Sequence, residues 1–277
     1  MAPELRDLGA FIAGHDTLAV LSGAGVSTAS GIPDYRDRDG AWKQSQPIQY
    51  GDFVTSAEAR RRYWSRSFIG WRRFSGAAPN AAHVALARLE AVGKVDTLVT
   101  QNVDRLHSRA GSRRVIDLHG DLGRVRCLAC GAVVSRDDFQ ARLEAANAGW
   151  RADVVQYRPD GDAELAADVH ADFRVPDCDA CGGVVKPDVV MFGEAVPKAR
   201  VASATAAVER ADALLVVGSS LMVFSGFRFA RQAKAAGKPI AIVNRGRTRA
   251  DDLATLKVDA DCAEALTVAV PAVEASA

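Results

Sequence analysis

The chain has almost no net charge: 35 lysines and arginines stand against 34 aspartates and glutamates, a formal balance of +1. That balance offers no basic face for a nucleic acid or an anionic membrane. Local clusters such as Arg60 to Arg62 read as solvated helix faces. No uninterrupted apolar stretch is long enough to cross a bilayer. The opening Met1-Ala-Pro-Glu4 also lacks the charged segment and apolar core of an export signal. A cytoplasmic protein without nucleic-acid or membrane partners is expected. Internal repeats and low-complexity tracts are missing, and cysteine is scarce: five in 277 residues, four of them in two Cys-x-x-Cys pairs.

What is present is a chain 48% hydrophobic, enough for one large domain, or one with a small inserted module, and a sizeable core. Its bias towards Ala, Arg and Asp points to a high-GC bacterial genome. Short apolar runs at Thr17–Ser22, Val95–Thr100, Val115–Leu118, Ala213–Val217 and Pro239–Val243 each end in polar or glycine residues, as buried strands do. Helical patterns lie between them, notably Asn80–Val92 and Val201–Ala211. The alternation predicts an α/β fold, a Rossmann-like parallel sheet with helices on both faces, in which ligands bind beyond the carboxyl ends of the strands. A single catalytic domain over 1–277 is expected, with the parallel sheet in about 1–120 and 186–270 and an inserted module in about 121–185. Inside that insert an Asp/Ala-rich excursion separates the cysteine pairs, and the tail after Val270 is expected to fray.

The strong motifs fall at the strand ends. Gly23-Ala24-Gly25 lets the backbone approach a phosphate, and a helix start behind it supplies amide donors and a positive dipole end. A third glycine is lacking: Thr28 stands where the dinucleotide fingerprint wants glycine or alanine. That weakens an ordinary dehydrogenase reading and leaves a plain strand-to-helix turn as the competing one. Gly31-Ile-Pro-Asp34-Tyr35-Arg36 is a proline-fixed turn that sets an acid beside an arginine, an arrangement suited to a ligand. The polar side chains of Thr100-Gln101-Asn102-Val-Asp104 emerge at the ligand face, unless Asn102 or Asp104 simply caps the helix through Leu106. His119 ends another strand, and histidine, whose unperturbed range lies near neutrality, suits a general base there; Gly120 leaves room beside its imidazole. His107 reads as helix-borne and structural, while His15, His83 and His170 lack a supporting constellation.

Cys127, Cys130, Cys178 and Cys181 supply four thiolates, which fill a closed tetrahedral Zn2+ site and leave no open position for catalysis. Disulfide or redox use is the weaker reading, because neither pair opens a thioredoxin-like unit. Lys186–Glu194 suits a strand that pairs an extended peptide, or else a core strand. Tyr63 and Arg66, three apart, share one helix face and together suit a carboxylate, with Trp64 and Trp71 as a pocket wall.

Together these runs resemble the sirtuins, the NAD-dependent protein lysine deacylases, over most of the chain. The segments Arg62–Trp71, Lys186–Glu194 and Leu214–Gly226 are most similar to the class II, sirtuin-4-like members. The resemblance implies NAD, consumed as a co-substrate, and one structural zinc per chain. It places Gly23, Ala24 and Gly25 at the cofactor and Asp34 and Arg36 in a loop over the nicotinamide ribose, with Tyr35 as an aromatic lid where phenylalanine is more usual. Gln101, Asn102 and Asp104 fall to the ribose, the reacting anomeric carbon with its water, and the nicotinamide carboxamide. Gly218, Ser219, Ser220, Asn244, Arg245 and Gly246 fall to the adenosine half, with Cys262 packed beside the nucleotide. Val189, Val190 and Phe192 fall to the acyl-lysine tunnel and peptide backbone. The Tyr63 and Arg66 pair is similar to one in desuccinylating class III sirtuins.

In the implied reaction the acyl oxygen of a modified lysine attacks the anomeric carbon and expels nicotinamide. His119 then activates the ribose hydroxyls, and water completes formation of free lysine and O-acyl-ADP-ribose. The implied partners are acyl-lysine proteins, acyl-CoA synthetases among them by family habit. Two rival readings are mono-ADP-ribosyl transfer at the same site and an NAD sensor or binding module without turnover. Intact Asn102, Asp104 and His119 stand against the last.

Overall fold

The computed structural model describes residues 3–43, 47–166 and 169–274. Along the chain run α1 (Pro3–Ala13), β1 (Leu18–Ser22), a 3-10 helix (Ala24–Ser30), α2 (Tyr50–Thr55), α3 (Ala57–Ser75), α4 (Ala81–Ala91), β2 (Val95–Thr100), α5 (Leu106–Arg109), β3 (Val115–Asp117), β4 (Gly120–Cys127), β5 (Val133–Ser135) and α6 (Arg136–Ala146). Then follow β6 (Val154–Tyr157), β7 (Ala163–Leu165), β8 (Val185–Val189), α7 (Lys198–Arg210), β9 (Ala213–Val217), α8 (Phe224–Ala235), β10 (Ile240–Val243), β11 (Leu256–Val258) and α9 (Cys262–Glu274). They form two units: Met1–Gln44, Ala78–Leu118 and Val196–Ala277 in the first, Ser45–Ala77 and His119–Ala195 in the second.

The first unit is the expected parallel α/β layer, with strand order β11-β10-β9-β1-β2-β3. Successive side chains along a strand point to opposite faces, so each central strand feeds two cores. Val20, Leu215 and Val243 join Leu8, Leu86 and Leu266 on one face. Leu21, Val216 and Ile242 join Val208, Phe229 and Ala233 on the other. Each such aliphatic side chain contributes about 1.5–3 kcal/mol when fully buried. The strand order reverses at β1, which lies between β9 and β2; crevices at such reversals are where open α/β sheets take ligands.

Asn80 and Val92 prove to be the caps of α4: Asn80 accepts from Ala82 N, and His83 Nδ1 accepts from Asn80 N in return. Helix α7 begins at Lys198, before the apolar periodicity does, because Pro197 sets its start. The tail does not fray at Val270: α9 runs to Glu274 with Val270 and Val273 buried, and 275–277 lie outside the described residues. No helix among the described residues is long and apolar enough to cross a membrane.

The second unit corrects the expected bounds of the insert. It takes in 45–77 as well as the cysteine pairs, because Phe53, Trp64 and Phe68 of α2 and α3 share one core with Phe139 of α6 and Phe173. The three-stranded sheet β5-β4-β8 and the hairpin β6-β7 are antiparallel. Helix α6 and this hairpin occupy the acidic stretch between the cysteine pairs, so it is structured rather than a mere excursion. Phe139 is fully buried, its ring 4.7 Å from that of Trp64. Phe139→Ala should therefore cost about 3–5 kcal/mol, read as a lower denaturant midpoint; a loss below about 1 kcal/mol would show that this contact does not hold the unit together.

Candidate active site

At the carboxyl edge of the parallel sheet the exits of β1 and β9 touch backbone to backbone. Gly25 N donates to Gly218 O at 2.8 Å, and Gly23 N to Val217 O at 3.1 Å. Gly218 has φ +61°, and a Cβ there would stand 2.2 Å from Val26 N. Only glycine meets both conditions. The segment that follows is a 3-10 helix, tighter than the α-helical start expected, and Gly31 closes it at φ 81°. Thr28, the residue in place of a third glycine, bonds its hydroxyl back to Gly25 O at 3.0 Å.

The end of β2 joins the same edge through Gln101, whose Nε2 donates to Ser22 O at 3.1 Å and Ser219 Oγ at 2.8 Å. Asn102 is 9% exposed and donates from Nδ2 to Ser27 Oγ at 3.1 Å. The Ser27 hydroxyl donates to Asp104 at 2.7 Å, and Asp104 also accepts from Leu106 N at 2.9 Å. Asp104 thus holds the first amide of α5, whose cap position is Arg105, and closes the Ser27–Asn102 cluster at once. Burial raises its carboxyl above the ordinary range, against the pull of those hydrogen bonds.

Two histidines set aside at first belong to this cluster. His107 Nε2 lies 2.8 Å from Ser22 Oγ. His83, far from lacking a constellation, packs its ring 4.8 Å from that of His107, approaches Ser27 Oγ at 3.4 Å and caps α4. An Asn-x-x-His pattern at a helix start was the available signal, obscured because Glu or Gln usually fills that position.

Arg105 and Leu221, each just past a strand end, have φ of 62° and 55°. Such strained non-glycine residues gather at functional sites. In the loop after Gly31, Asp34 pairs with Lys43, and Arg36 donates to Gly40 O at 2.7 Å and stacks on Trp42. Tyr35 meets Trp42 edge-on, ring centroids 6.1 Å apart. Past β10, Asn244 N donates to Val258 O at 3.1 Å and Arg245 pairs with Asp261 at 3.5 Å. Gly246 N donates to Asp259 at 3.0 Å. Ser220 O accepts from Arg249 N at 2.8 Å. Cys262 is buried against Val243 O, and burial pushes its thiol up to about 12. The first unit thus gathers Gly23, Gly25, Gln101, Asn102, Asp104, Gly218 and Ser219 at one edge.

His119 opens the second unit, directly before β4, and its carbonyl accepts from Val190 N at 2.7 Å. Gly120, at φ 92°, lets β4 meet β8, where a Cβ would stand 2.1 Å from Asp188 O. Strand β8 is an edge strand and stops at Val189. Val190 and Phe192 lie beyond it, and Phe192 O accepts from Tyr50 N at 2.8 Å. The four cysteine Sγ atoms lie within 4.8 Å of one another, with Cys127 and Cys181 3.5 Å apart and Cys130 and Cys178 3.8 Å apart.

Trp64 and Trp71 flank a buried arginine. Their rings sit 5.4 and 5.0 Å from the guanidinium of the fully buried Arg136, which donates to Gln140 at 2.7 Å. Burial lowers that guanidinium to about 10. Tyr63 is 5% exposed and meets Phe53 edge-on at 5.5 Å, while Arg66 Nε donates to Ala163 O at 3.2 Å.

A Rossmann-like sheet with a glycine-built carboxyl edge, carried on a chain that also folds a four-cysteine module, defines the class. Residues 23–225 match the Sir2 family, and the chain belongs to that family. It is 58% identical over 256 residues to NAD-dependent protein deacetylase 2 of Bradyrhizobium diazoefficiens, covering 92% of this chain and 94% of that protein. It is 48% identical over 271 residues to the mitochondrial NAD-dependent protein lipoamidase sirtuin-4 of Bos taurus, covering 97% and 86%. A solved structure of Sir2 with a p53 peptide and NAD+ superposes with a TM-score of 0.75 at 33% identity, covering 96% of each chain.

Burial holds the imidazoles of His83 and His107 down, to about 4 and about 3 from an ordinary 6.5, and His83 adds to the effect on His107. The folded chain keeps both neutral while the unfolded chain takes up protons below about pH 6.5, so stability is full above that value and falls as pH drops towards 4. Asp104, its carboxyl raised, opposes this at the acid end of the window. The thermal midpoint should drop by several degrees from about pH 7 to about pH 5. His83→Gln, which keeps a capping side chain, should flatten the drop; an equal drop in that variant would contradict the assignment.

Proposed function

We propose that the protein is an NAD-dependent protein lysine deacylase. The observation that carries the reading is the buried Ser27–Asn102–Asp104 cluster at a glycine-built strand edge, in a chain so similar to a named NAD-dependent deacetylase. The residues fit the nucleotide: at Gly23, Gly25 and Gly218 the backbone comes forward without side chains, and the hydroxyl and amide groups of Gln101, Ser219, Ser220 and Asn244 lie at the same strand ends. Ala24, Arg245, Gly246 and Cys262 complete the adenosine side of the proposal, and Asp34, Tyr35 and Arg36 its nicotinamide side.

Bound NAD supplies the leaving group. Asn102, its amide nitrogen engaged by Ser27, keeps a carbonyl oxygen that accepts from a water or a ribose hydroxyl. Asp104 accepts the nicotinamide carboxamide, an uncharged donor that suits a carboxyl in a buried setting. His119 takes the proton of a ribose hydroxyl as the general base. Val189, Val190 and Phe192, at and beyond the end of an edge strand, receive the peptide and acyl chain by strand addition. Acyl-lysine proteins are the substrates, acyl-CoA synthetases among them.

The four cysteines fit zinc. A tetrahedron with metal–sulfur bonds of about 2.3 Å has edges of about 3.8 Å, close to the 3.5 and 3.8 Å separations present. The metal closes the two turns and takes no part in the chemistry.

His119→Ala should lower turnover of an acetyl-lysine peptide at saturating NAD by roughly 10²–10⁴ while leaving the melting transition in place; near-wild-type turnover would remove His119 from the reaction. Metal analysis should find one zinc per chain, kept in Cys262→Ala and lost, with a lower melting point, in Cys178→Ser. Less than half a zinc per wild-type chain would contradict the structural-metal reading.

A further inference from the structure

Arg66 has an acid of its own chain close by. The tip of the β6-β7 hairpin is closed by Arg158 N donating to Asp162 O at 2.8 Å, and it is wedged against α3. A Cβ on Gly70 would stand 2.2 Å from Gly161 O, and one on Gly161, at φ +78°, 2.4 Å from Leu122. No side chain fits between the two glycines. Asp162 is thereby held 4% exposed, with Oδ2 3.7 Å from Arg66 Nε and with Oδ1 buried and lacking a hydrogen-bond partner.

The neighbouring cations also hold partners of their own. Arg158 pairs with Glu164 at 3.0 Å, and Arg136 is bound to Ser67 and Gln140. Asp160, half-buried, lies near enough for Arg66 to act on its carboxyl as well. Burial and Asp160 push the Asp162 carboxyl well up, and Arg66 is the first of the cations that pull it back, ahead of Arg158 and Arg136. Tyr63 and Phe53 belong to one apolar cluster with Met191, against which Val189 packs, so the uncharged part of an acyl chain meets an apolar lining.

We propose that Asp162 sets acyl selectivity: it occupies the charge of Arg66 from within the chain and so reserves the site for uncharged acyl groups. A substrate carboxylate would be a further anion on a cation already matched, in a place too dry to screen the repulsion. An acetyl or longer aliphatic chain brings no such charge. The inference rests on the deacylase reading above and on the acyl group reaching Tyr63 and Arg66. It runs against the acceptance of acidic chains beside acetyl that the Tyr-x-x-Arg spacing alone suggests.

The test compares the full-length wild type, Arg66→Met, Asp162→Asn and the double variant, by equilibrium binding of two fluorescent peptides of one sequence bearing acetyl-lysine or succinyl-lysine. The wild type should favour the acetyl peptide at least about tenfold, and Asp162→Asn should shift the ratio towards succinyl by about tenfold or more. Adding Arg66→Met should erase that shift, because the freed guanidinium fork is what binds the acid. An unchanged ratio in Asp162→Asn, or a shift that survives loss of Arg66, overturns the proposal. Should Asp162→Asn fail to fold, Arg66→Met alone decides: no selective loss of succinyl binding is expected, and a selective loss would show Arg66 reading the acid in the native protein. Nicotinamide release from the acetyl peptide by the wild type reports separately on the deacylase reading.

Discussion

The hydrogen bond from Gly25 N to Gly218 O, 2.8 Å long, is the contact on which the functional edge of the first unit depends. Strands β1 and β9 are register neighbours, Ser22 opposite Val217, so their exits are forced together as the chain leaves the sheet. A Cβ at Gly23 would stand 2.8 Å from Ser219 Cβ, and one at Gly25 2.9 Å from Gly218 O. With both absent the backbones meet, and Ser219 comes within reach of Gln101 from β2. Three strand ends are locked together in this way. Everything proposed for the nucleotide follows from that lock.

Polar groups inside this edge carry a cost that the apolar cores offset. Ser22, Ser27, Thr100, Asn102 and His107 are all buried, and each has a hydrogen-bonded partner within the cluster. His107 Nδ1 is the exception, buried with no partner. Leaving such a group unmet costs about 1–3 kcal/mol. A site that must hold an amide, a carboxyl and neutral imidazoles in fixed positions accepts that loss, and the alternating faces of β1, β9 and β10 supply the burial to bear it.

The fold was legible where burial is continuous. Val95–Thr100 and Ala213–Val217 are strands to the residue, because central parallel strands are apolar on both faces. The second unit was legible in its cysteines, in the helix that carries Tyr63 and Arg66 and in the strand at Lys186, but not in its extent. Residues 45–77 join it through the packing of Trp64 on Phe139, far apart in sequence, and no local pattern announces that contact. The motif residues of the first unit do come together at one edge, while several single residues of either unit serve other ends than their local pattern suggests. Gly120 is small for the sake of β8, Trp64 and Trp71 flank an arginine, and His83 stands with His107 rather than alone. Each miss involves a partner supplied by tertiary structure.

A deacylase of this family uses NAD as a reagent, with acyl transfer to the ribose as the outcome. Mass analysis of a reaction containing the protein, NAD and an acetyl-lysine peptide tests this most directly. One nicotinamide and one O-acetyl-ADP-ribose should appear for every lysine freed. Free lysine and acetate formed without nicotinamide release, or ADP-ribose attached to protein while the peptide stays acetylated, would contradict it.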